Sequence, residues 1–316
     1  MKTIGFYLLA VFFSSVILSA CTNPKIESFS FMAIGDVPYH LPEDFGRYDR
    51  MITQINNENP TFTLHVGDIK SGSVPCTDEY YEKIKNYFQK FENGLIYTPG
   101  DNEWTDCNRE SCGSYEPEER LDKLRQLFFS ANKSQGKRPI ELFRQNNLEG
   151  FEKFPENSMW QNSEITFGTM HVVGSNNNFK SGKEALNDEF FEREMANNFW
   201  LSYLFETAKK NESHGLVLVL HAGLNYNNKD ETNGHASFVT LLRQQVMNYD
   251  KPVLLLYGDH HRFMIDKPLK DKKGGTLTNF TAVQVFGSYD MHAVKVNVSP
   301  NNPNLFLIDP FFIRGN

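Results

Sequence analysis

The chain has 316 residues, with 32 Lys and Arg against 39 Asp and Glu and a formal net charge of −7. That balance does not favour a polyanionic partner, and the sequence shows no basic stripe of the kind that marks nucleic-acid binding, although a metal site can supply the positive charge that a phosphate ester needs. No low-complexity linker or internal repeat divides the sequence, so its length suits one large domain or two smaller ones.

At the N-terminus, Lys2 precedes an uncharged apolar run from Ile4 to Leu18, and the tetrapeptide Leu18-Ser19-Ala20-Cys21 reads as a lipobox. A basic start, a short apolar core and small residues before the cut describe a secretory signal. The run stops short of the roughly 20 apolar residues that a spanning helix needs. Residues 1–20 are therefore read as a signal peptide, Cys21 as the lipidated first residue of the mature chain, and 21–28 as its tether. Thr22 stands where an inner-membrane retention signal would carry Asp, which resembles outer-membrane lipoproteins of Gram-negative bacteria. The expectation is a lipoprotein of the bacterial cell envelope, held to the outer membrane by its lipid and facing the periplasm. Removal of 1–20 takes away only Lys2, leaving 31 Lys and Arg against 39 Asp and Glu, a charge of −8.

Beyond the leader, short apolar runs alternate with polar segments of helical period, the pattern of a layered α/β fold. A strand over 29–34 is predicted to end in Gly35-Asp36, one over 62–66 in Gly67-Asp68, and one over 95–98 in Pro99-Gly100-Asp101. Helices are predicted over 45–58, 78–91, 117–131, 185–210 and 236–249, and Leu121, Leu124, Leu127 and Phe128 form a core stripe at helical spacing. A strand over 165–173 leads into Gly174-Ser175-Asn176-Asn177, one over 216–220 ends in His221, and one over 253–257 ends in Gly258-Asp259-His260-His261. Runs over 280–286, 292–298 and 305–308 predict a terminal antiparallel portion. Ligands of open α/β sheets gather outside the carboxyl ends of the strands. The five ends that carry Asp or His are thus expected around one crevice.

In order, these ends read GDVPY (35–39), GDIKSG (67–72), GDNEW (100–104), LHAG (220–223) and GDHH (258–261). Together they resemble the signature of the calcineurin-like metallophosphoesterase superfamily: Asp-x-His, Gly-Asp, Gly-Asn-His-Glu or Asp, a lone His after a strand, and Gly-His-x-His. One glycine before aspartate often marks only a turn, but five strings in this order are specific. With FPENSMW (154–160) and GSNN (174–177), the chain resembles more narrowly a bacterial subgroup in which GDxPY, GDIKSG, PGDNEWxDC, FPEN with a following Trp, GSNN and GDxH recur together. The resemblance implies a layered α/β/β/α sandwich over 29–316, as a single domain with an insertion around 104–162 and a metal site at the C-terminal ends of the strands. It implies a metal-dependent phosphoester hydrolase, acting on a small phosphate monoester or diester.

Two metals about 3.5–4 Å apart need a shared anionic bridge and terminal ligands. Asp68 matches the family's bridging carboxylate, Asp36 and His261 match terminal ligands of one metal, and Asp101, His221 and Asp259 occupy the positions that serve the other. Helix capping for the aspartates and hydrogen-bonded core positions for the histidines are the plainer alternatives.

The sequence departs from the family at informative places. Pro38 replaces the first-motif histidine, Asp101 stands in place of Asn, and Asp259 in place of the first His of Gly-His-x-His. Oxygen ligands favour Mg²⁺, Mn²⁺ or Ca²⁺, whereas imidazole pulls toward Zn²⁺ and Fe. Two divalent ions are therefore expected, Mn²⁺ or Mg²⁺ ahead of Fe or Zn²⁺. Tyr39 is a candidate phenolate in place of the lost ligand, or simply an aromatic packed at a strand end. Asn102 falls where the family carries its acid/base histidine; an amide cannot exchange a proton near neutral pH but can orient a phosphate oxygen. His40, His65 and His260 are the nearest substitutes, with His260 first, although a solvated loop histidine is as good a reading of it.

Asn176 and Asn177 are candidates to donate to substrate oxygens, or else turn formers. Three cysteines follow Cys21, leaving one pair and one remainder. Cys76 lies eight residues after Asp68 and Cys107 six after Asp101. If those aspartates share a metal cluster, as the resemblance implies, a Cys76–Cys107 disulfide becomes plausible, and Cys112 is the odd one, free or exchanging with Cys107. A non-catalytic envelope lipoprotein that uses the crevice for binding is the rival reading, favoured by Pro38 and Asn102. Six carboxylate or imidazole groups on five strand ends favour the enzyme, because mutually repelling carboxylates bring a mere scaffold little.

Overall fold

The computed structural model describes residues 27–228, 230–300 and 302–316; the expected signal peptide over 1–20 and the expected lipidation site Cys21 lie outside the described residues. In chain order the strands are β1 (Phe29–Ile34), β2 (Phe62–His65), β3 (Gly94–Tyr97), β4 (Phe143–Arg144), β5 (Ser158–Asn162), β6 (Ile165–Thr169), β7 (Gly215–Val219), β8 (Val253–Tyr257), β9 (Met264–Asp266), β10 (Phe280–Gln284), β11 (Ala293–Val298) and β12 (Phe306–Phe311). The helices are α1 (Glu43–Glu58), α2 (Asp78–Phe88), α3 (Pro117–Phe128), the single turn α4 (Gly174–Asn177), α5 (Asp188–Lys210) and α6 (Ala236–Met247). No helix among the described residues is long and apolar enough to cross a membrane.

Strands without a polar face require cover on both sides, and two stacked sheets flanked by helices supply it. One sheet has the order β12-β11-β1-β2-β3 and the other β4-β5-β6-β7-β8-β10-β9. β1 shows the logic of the layers: Phe31 and Ala33 face Phe62, Phe167, Val217 and Leu254 between the sheets, while Met32 and Ile34 point the other way, under Tyr48, Met51 and Ile84 of α1 and α2. That is the period of two expected of a strand. On the far side, Trp200 and Leu204 of α5 and Phe238 and Leu242 of α6 cover Leu216, Leu218 and Leu255. The result is an α/β/β/α sandwich, as the sequence suggests.

The helix ends differ from expectation by a few residues. α3 stops at Phe128 because Phe129 leaves the helical region at φ −124°, and its ring stacks on Tyr97 with centroids 5.5 Å apart. The strand expected over 165–173 ends at Thr169, where the His171 N–H turns to the Asn157 side chain at 2.7 Å and leaves the ladder. One expectation is corrected outright. The run 280–286 does not join the terminal antiparallel portion: β10 lies parallel to β8 in the second sheet, Phe280 opposite Val253, and only β11, antiparallel to β1, and β12, antiparallel to β11, extend the first sheet at that end. An apolar run of five residues carries no mark of its direction. The stretch 104–162 contributes α3 and then β4 and β5, the latter paired antiparallel with β6.

Candidate metal centre

The strands β1, β2 and β3 run parallel, as do β6, β7, β8 and β10, so the loops that follow them can meet beyond their carboxyl ends. These loops begin with unusual backbone. Asp36 and Asp68 both have φ 55°, Asp259 has φ 78° and His261 φ 57°. Left-handed non-glycine residues are uncommon, with Asp and His among the more tolerant, and such conformations persist only where the surroundings hold them. Here the Asp36 N–H donates to the Gly67 carbonyl at 3.0 Å and its carbonyl accepts from the Ser288 N–H at 2.9 Å. Its Oδ1 accepts from the Asp259 N–H at 2.9 Å. Glycine at position 100 is dictated by close approach: a Cβ there would collide with Asp68 Oδ1 and lie 2.5 Å from the Asp68 nitrogen.

Two groups of ligand-type atoms result. Asp36, Asp68 and His261 offer atoms that all lie within 4.8 Å of one another, and so do Asp68, Asp101 and His221. Asp68 belongs to both. His221 Nε2 lies 3.0 Å from Asp101 Oδ1 and 3.3 Å from Asp68 Oδ1, while its Nδ1 faces the Val66 carbonyl at 3.0 Å. A backbone carbonyl at Nδ1 orients the ring so that Nε2 is the nitrogen turned toward the carboxylates and available to a metal. His261 Nε2 lies 3.5 Å from Asp36 Oδ1. Asp259 joins neither group, because its Oδ2 accepts the Gly223 N–H at 2.8 Å. Five of the six residues expected as ligands are thus brought together, and the sixth braces the loop after β7.

The electrostatics of this set fit divalent cations. Asp36 is fully buried, its Oδ2 has no hydrogen-bond partner among the described residues, and burial pushes its carboxyl up to about 7. Burial also pushes Asp68 well above the carboxylate range; the His221 charge opposes this, and Asp101 and Glu103 add to it. Burial works against the charge of Asp101, but the hydrogen bond and charge of His221 hold its carboxyl below the usual value. His221 in turn is lifted well above the imidazole range by Asp68 and Asp101 in spite of burial. Desolvated carboxylates that crowd one another favour whatever positive charge can reach them, and an orphan carboxylate oxygen at such a spot is an open ligand position.

No protein-family model matches the chain, and no curated protein matches it by sequence. Among solved structures, a dimetal phosphatase from Danio rerio is similar with a TM-score of 0.51 at 12% identity, over 90% of this chain and 99% of that one. A purple acid phosphatase from yellow lupin (Lupinus luteus) seeds is similar with a TM-score of 0.50 at 14% identity, over 87% of this chain and 50% of the lupin chain. The chain has the calcineurin-like metallophosphoesterase fold.

In this metallophosphoesterase sandwich, a shell of side chains holds the shared carboxylate. The Tyr39 hydroxyl donates to Asp68 Oδ2 at 2.5 Å and accepts from Asn102 Nδ2 at 2.9 Å, with His261 Nε2 at 3.2 Å. Burial and the Asp68 charge raise the Tyr39 phenol well above its ordinary value, so here it is a protonated donor and not a phenolate. Asn102 donates its N–H to Asp68 Oδ1 at 3.1 Å and its amide Nδ2 to Asp68 Oδ2 at 2.5 Å. Glu103 Oε1 accepts the N–H groups of Asp68 and Gly100 at 3.1 and 2.7 Å and the Tyr97 hydroxyl at 2.8 Å, tying the ends of β2 and β3 together. The buried Lys70 ammonium donates to the carbonyls of Asn102 and Ser71 at 2.5 and 3.0 Å. Behind them, Cys76 and Cys107 form the expected disulfide with Cα atoms 5.9 Å apart, and Cys112 is a buried free thiol.

The GSNN string reaches the centre through a residue that sequence reasoning passed over. Ser175, Asn176, Asn177 and Asn178 all have φ between 46° and 60°, a left-handed turn that asparagine tolerates better than most residues. This turn aims Ser175 Oγ at Asp101 Oδ2, 2.7 Å away, and at Asp106 Oδ1, 2.9 Å away. The two asparagines face the scaffold instead. Asn176 donates to the Phe179 and Thr232 carbonyls, and Asn177 accepts from Arg193 at 2.5 Å and donates to the Gly234 carbonyl. Their expected role toward substrate is therefore corrected: their amides are committed to holding the turn. Asp, Asn and Ser next to glycine signal a tight turn, but nothing in the string says which side chain points inward.

The three histidines expected near the chemistry also separate. His65 is buried against Phe88 and Tyr97, burial lowers its pKa to about 3, and it has no path to a substrate. His40 is exposed, with Nε2 3.2 Å from Ser288 Oγ. His260 is exposed, its ring lies over Gly223 with no hydrogen bond among the described residues, and it borders a cavity of about 550 Å³ with Asn225, Tyr226 and Asp266.

Proposed function

We propose that the chain is a metal-dependent phosphoesterase of the bacterial cell envelope, anchored by lipid at Cys21 to the outer membrane and facing the periplasm. The observation that carries the chemistry is Asp68, one carboxylate shared by two groups of three donors. Asp36 and His261 would hold one ion and Asp101 and His221 the other. Three carboxylates outnumber the two imidazoles, which favours Mn²⁺ or Mg²⁺. Divalent ions so placed supply a Lewis acid for phosphoryl oxygens and a hydroxide nucleophile near neutral pH. Around them, Asn102 holds the shared carboxylate through Nδ2, His260 gives a proton to the leaving oxygen, and the cavity beside His260 receives the remainder of a small ester.

The test is the metal content of the purified protein, followed by a metal-supplemented panel of phosphate monoesters and diesters run on wild type and Asn102→His. General acid catalysis contributes roughly 10²–10⁴-fold where leaving-group protonation limits the rate. Asn102→His should therefore accelerate esters with poor leaving groups more than those with good ones. Asn102 itself, an amide in place of an acid, favours the rival reading of a metal-holding binding protein. That reading takes over if wild type and Asn102→His both carry metal and neither hydrolyses any ester. The anchor is tested separately: Cys21→Ala should appear in the soluble fraction, and integral-membrane behaviour of that variant would refute it.

A further inference from the structure

Arg109 follows the short turn Thr105–Asn108 in the loop after β3, and its side chain is half-exposed. Its Nη2 pairs with Asp106 Oδ2 at 2.7 Å. The other Asp106 oxygen lies 2.9 Å from Ser175 Oγ, which reaches Asp101 Oδ2 at 2.7 Å. A chain of side chains thus fixes the guanidinium relative to a donor of the metal centre, and the disulfide at Cys107 anchors the same loop. Nη1 has no hydrogen bond among the described residues. It stands beside Asn102: a Cβ built on Gly72 would lie 3.0 Å from Arg109 Nη1 and 2.9 Å from Asn102 Oδ1. A side chain at that position would displace one or both of these groups.

The neighbourhood explains what an open guanidinium is for. Asp36, Asp68, Asp101, Glu103 and Asp106 are all acidic and largely buried. Lys70 is spent on the Asn102 and Ser71 carbonyls. Arg109 keeps a donor free and matches phosphoryl oxygens in geometry. We infer that Arg109 Nη1, across Gly72 from Asn102, binds a non-bridging oxygen of a terminal phosphate and makes the site selective for phosphomonoesters. A monoester presents three non-bridging oxygens and two negative charges, a diester two oxygens and one charge. An added cationic donor therefore rewards the monoester. The inference rests on the phosphoesterase reading for its substrate, but not for the anion.

Three Mn²⁺-loaded variants test it: Arg109→Ala, Arg109→Lys and Gly72→Ala. Calorimetric binding of inorganic phosphate is measured together with metal content, and kcat/KM is compared for 4-nitrophenyl phosphate and bis(4-nitrophenyl) phosphate. Hydrogen bonds to charged groups are worth enough to predict a loss of roughly 10- to 100-fold in phosphate affinity for Arg109→Ala, with metal content unchanged and monoester preference reduced by a similar factor. Arg109→Lys should recover part of that loss, and Gly72→Ala should weaken phosphate by pushing Arg109 and Asn102 apart. Unchanged phosphate affinity in metal-replete Arg109→Ala overturns the inference, as does an equal loss of activity toward both esters. Should Arg109→Ala lose metal, Gly72→Ala decides, and phosphate binding equal to wild type in that variant overturns it. If wild type hydrolyses neither ester yet Arg109→Ala still loses phosphate, the phosphoesterase reading falls and the anion site stands.

Discussion

The two donor groups that share Asp68 are built differently. In the group of Asp68, Asp101 and His221 every member is buried, both His221 nitrogens are engaged, and Ser175 fixes Asp101 from behind. In the group of Asp36, Asp68 and His261, the His261 side chain is 29% exposed and its Nε2 stands 3.5 Å from Asp36, while Asp36 Oδ2 has no hydrogen-bond partner among the described residues. One half is assembled by protein contacts alone, and the other is left with an open carboxylate and an accessible ring. A site arranged this way spends folding energy on the closed half and leaves the open half to be completed by the ion and by substrate. The open half is also where Tyr39 and Asn102 stand.

The comparison breaks most completely at the residue common to both halves. Asp68→Asn keeps the shape and removes the shared charge, so at least one of two ions, and all hydrolysis with it, should be lost. Elemental analysis of purified protein checks this, and full metal content in the variant would show the centre to be misplaced. The metal-free variant should unfold at no lower denaturant concentration than metal-free wild type, because a crowded carboxylate has been neutralised.

The next largest effects should separate the halves. His221→Ala strands Asp101 and the Val66 carbonyl in a buried space. Breaking a buried charged pair costs about 3–5 kcal/mol, which urea unfolding of the metal-free protein would register. His261→Ala, at a partly exposed position, should cost under about 1 kcal/mol and appear instead as weakened binding of one ion. Equal costs for the two variants would mean that the halves are not differently organised. The smallest effect sharpens the open half: Tyr39→Phe removes one hydroxyl from Asp68, worth about 1 kcal/mol, and should weaken one Mn²⁺ site several-fold in a titration while leaving the other unchanged. Weakening of both ions alike would place Tyr39 in support of the bridge and not of one position.

Much of this arrangement is legible in the residue string, and the parts that are not share a cause. Gly-Asp after an apolar run is a local signal, since the strand must end, turn sharply and place a carboxylate at its tip, all within a few residues. Five such ends in one α/β pattern already imply a common crevice, and the Cys76–Cys107 pairing becomes plausible once the family resemblance puts Asp68 and Asp101 in one metal cluster. The direction of β10 escapes, because pairing partners distant in sequence decide whether an apolar run of five residues lies parallel or antiparallel. Asp259 escapes for a related reason: its Oδ2 accepts the Gly223 N–H, which belongs to another strand end.

The sequence by itself determined the layered fold class, the positions of the strand ends and the chemistry available at each, because backbone propensity and apolar period act over short distances. Only the tertiary structure decided which side chains face inward. It turned Ser175, and not Asn176 or Asn177, toward Asp101. It set the Tyr39 hydroxyl on the shared carboxylate, sealed His65 between aromatic rings, and laid Arg109 beside Asn102 over the bare Cα of Gly72. Each of these is a competition among donors and acceptors brought together from distant parts of the chain. Its outcome depends on distances of a few ångströms that exist only once the two sheets have packed.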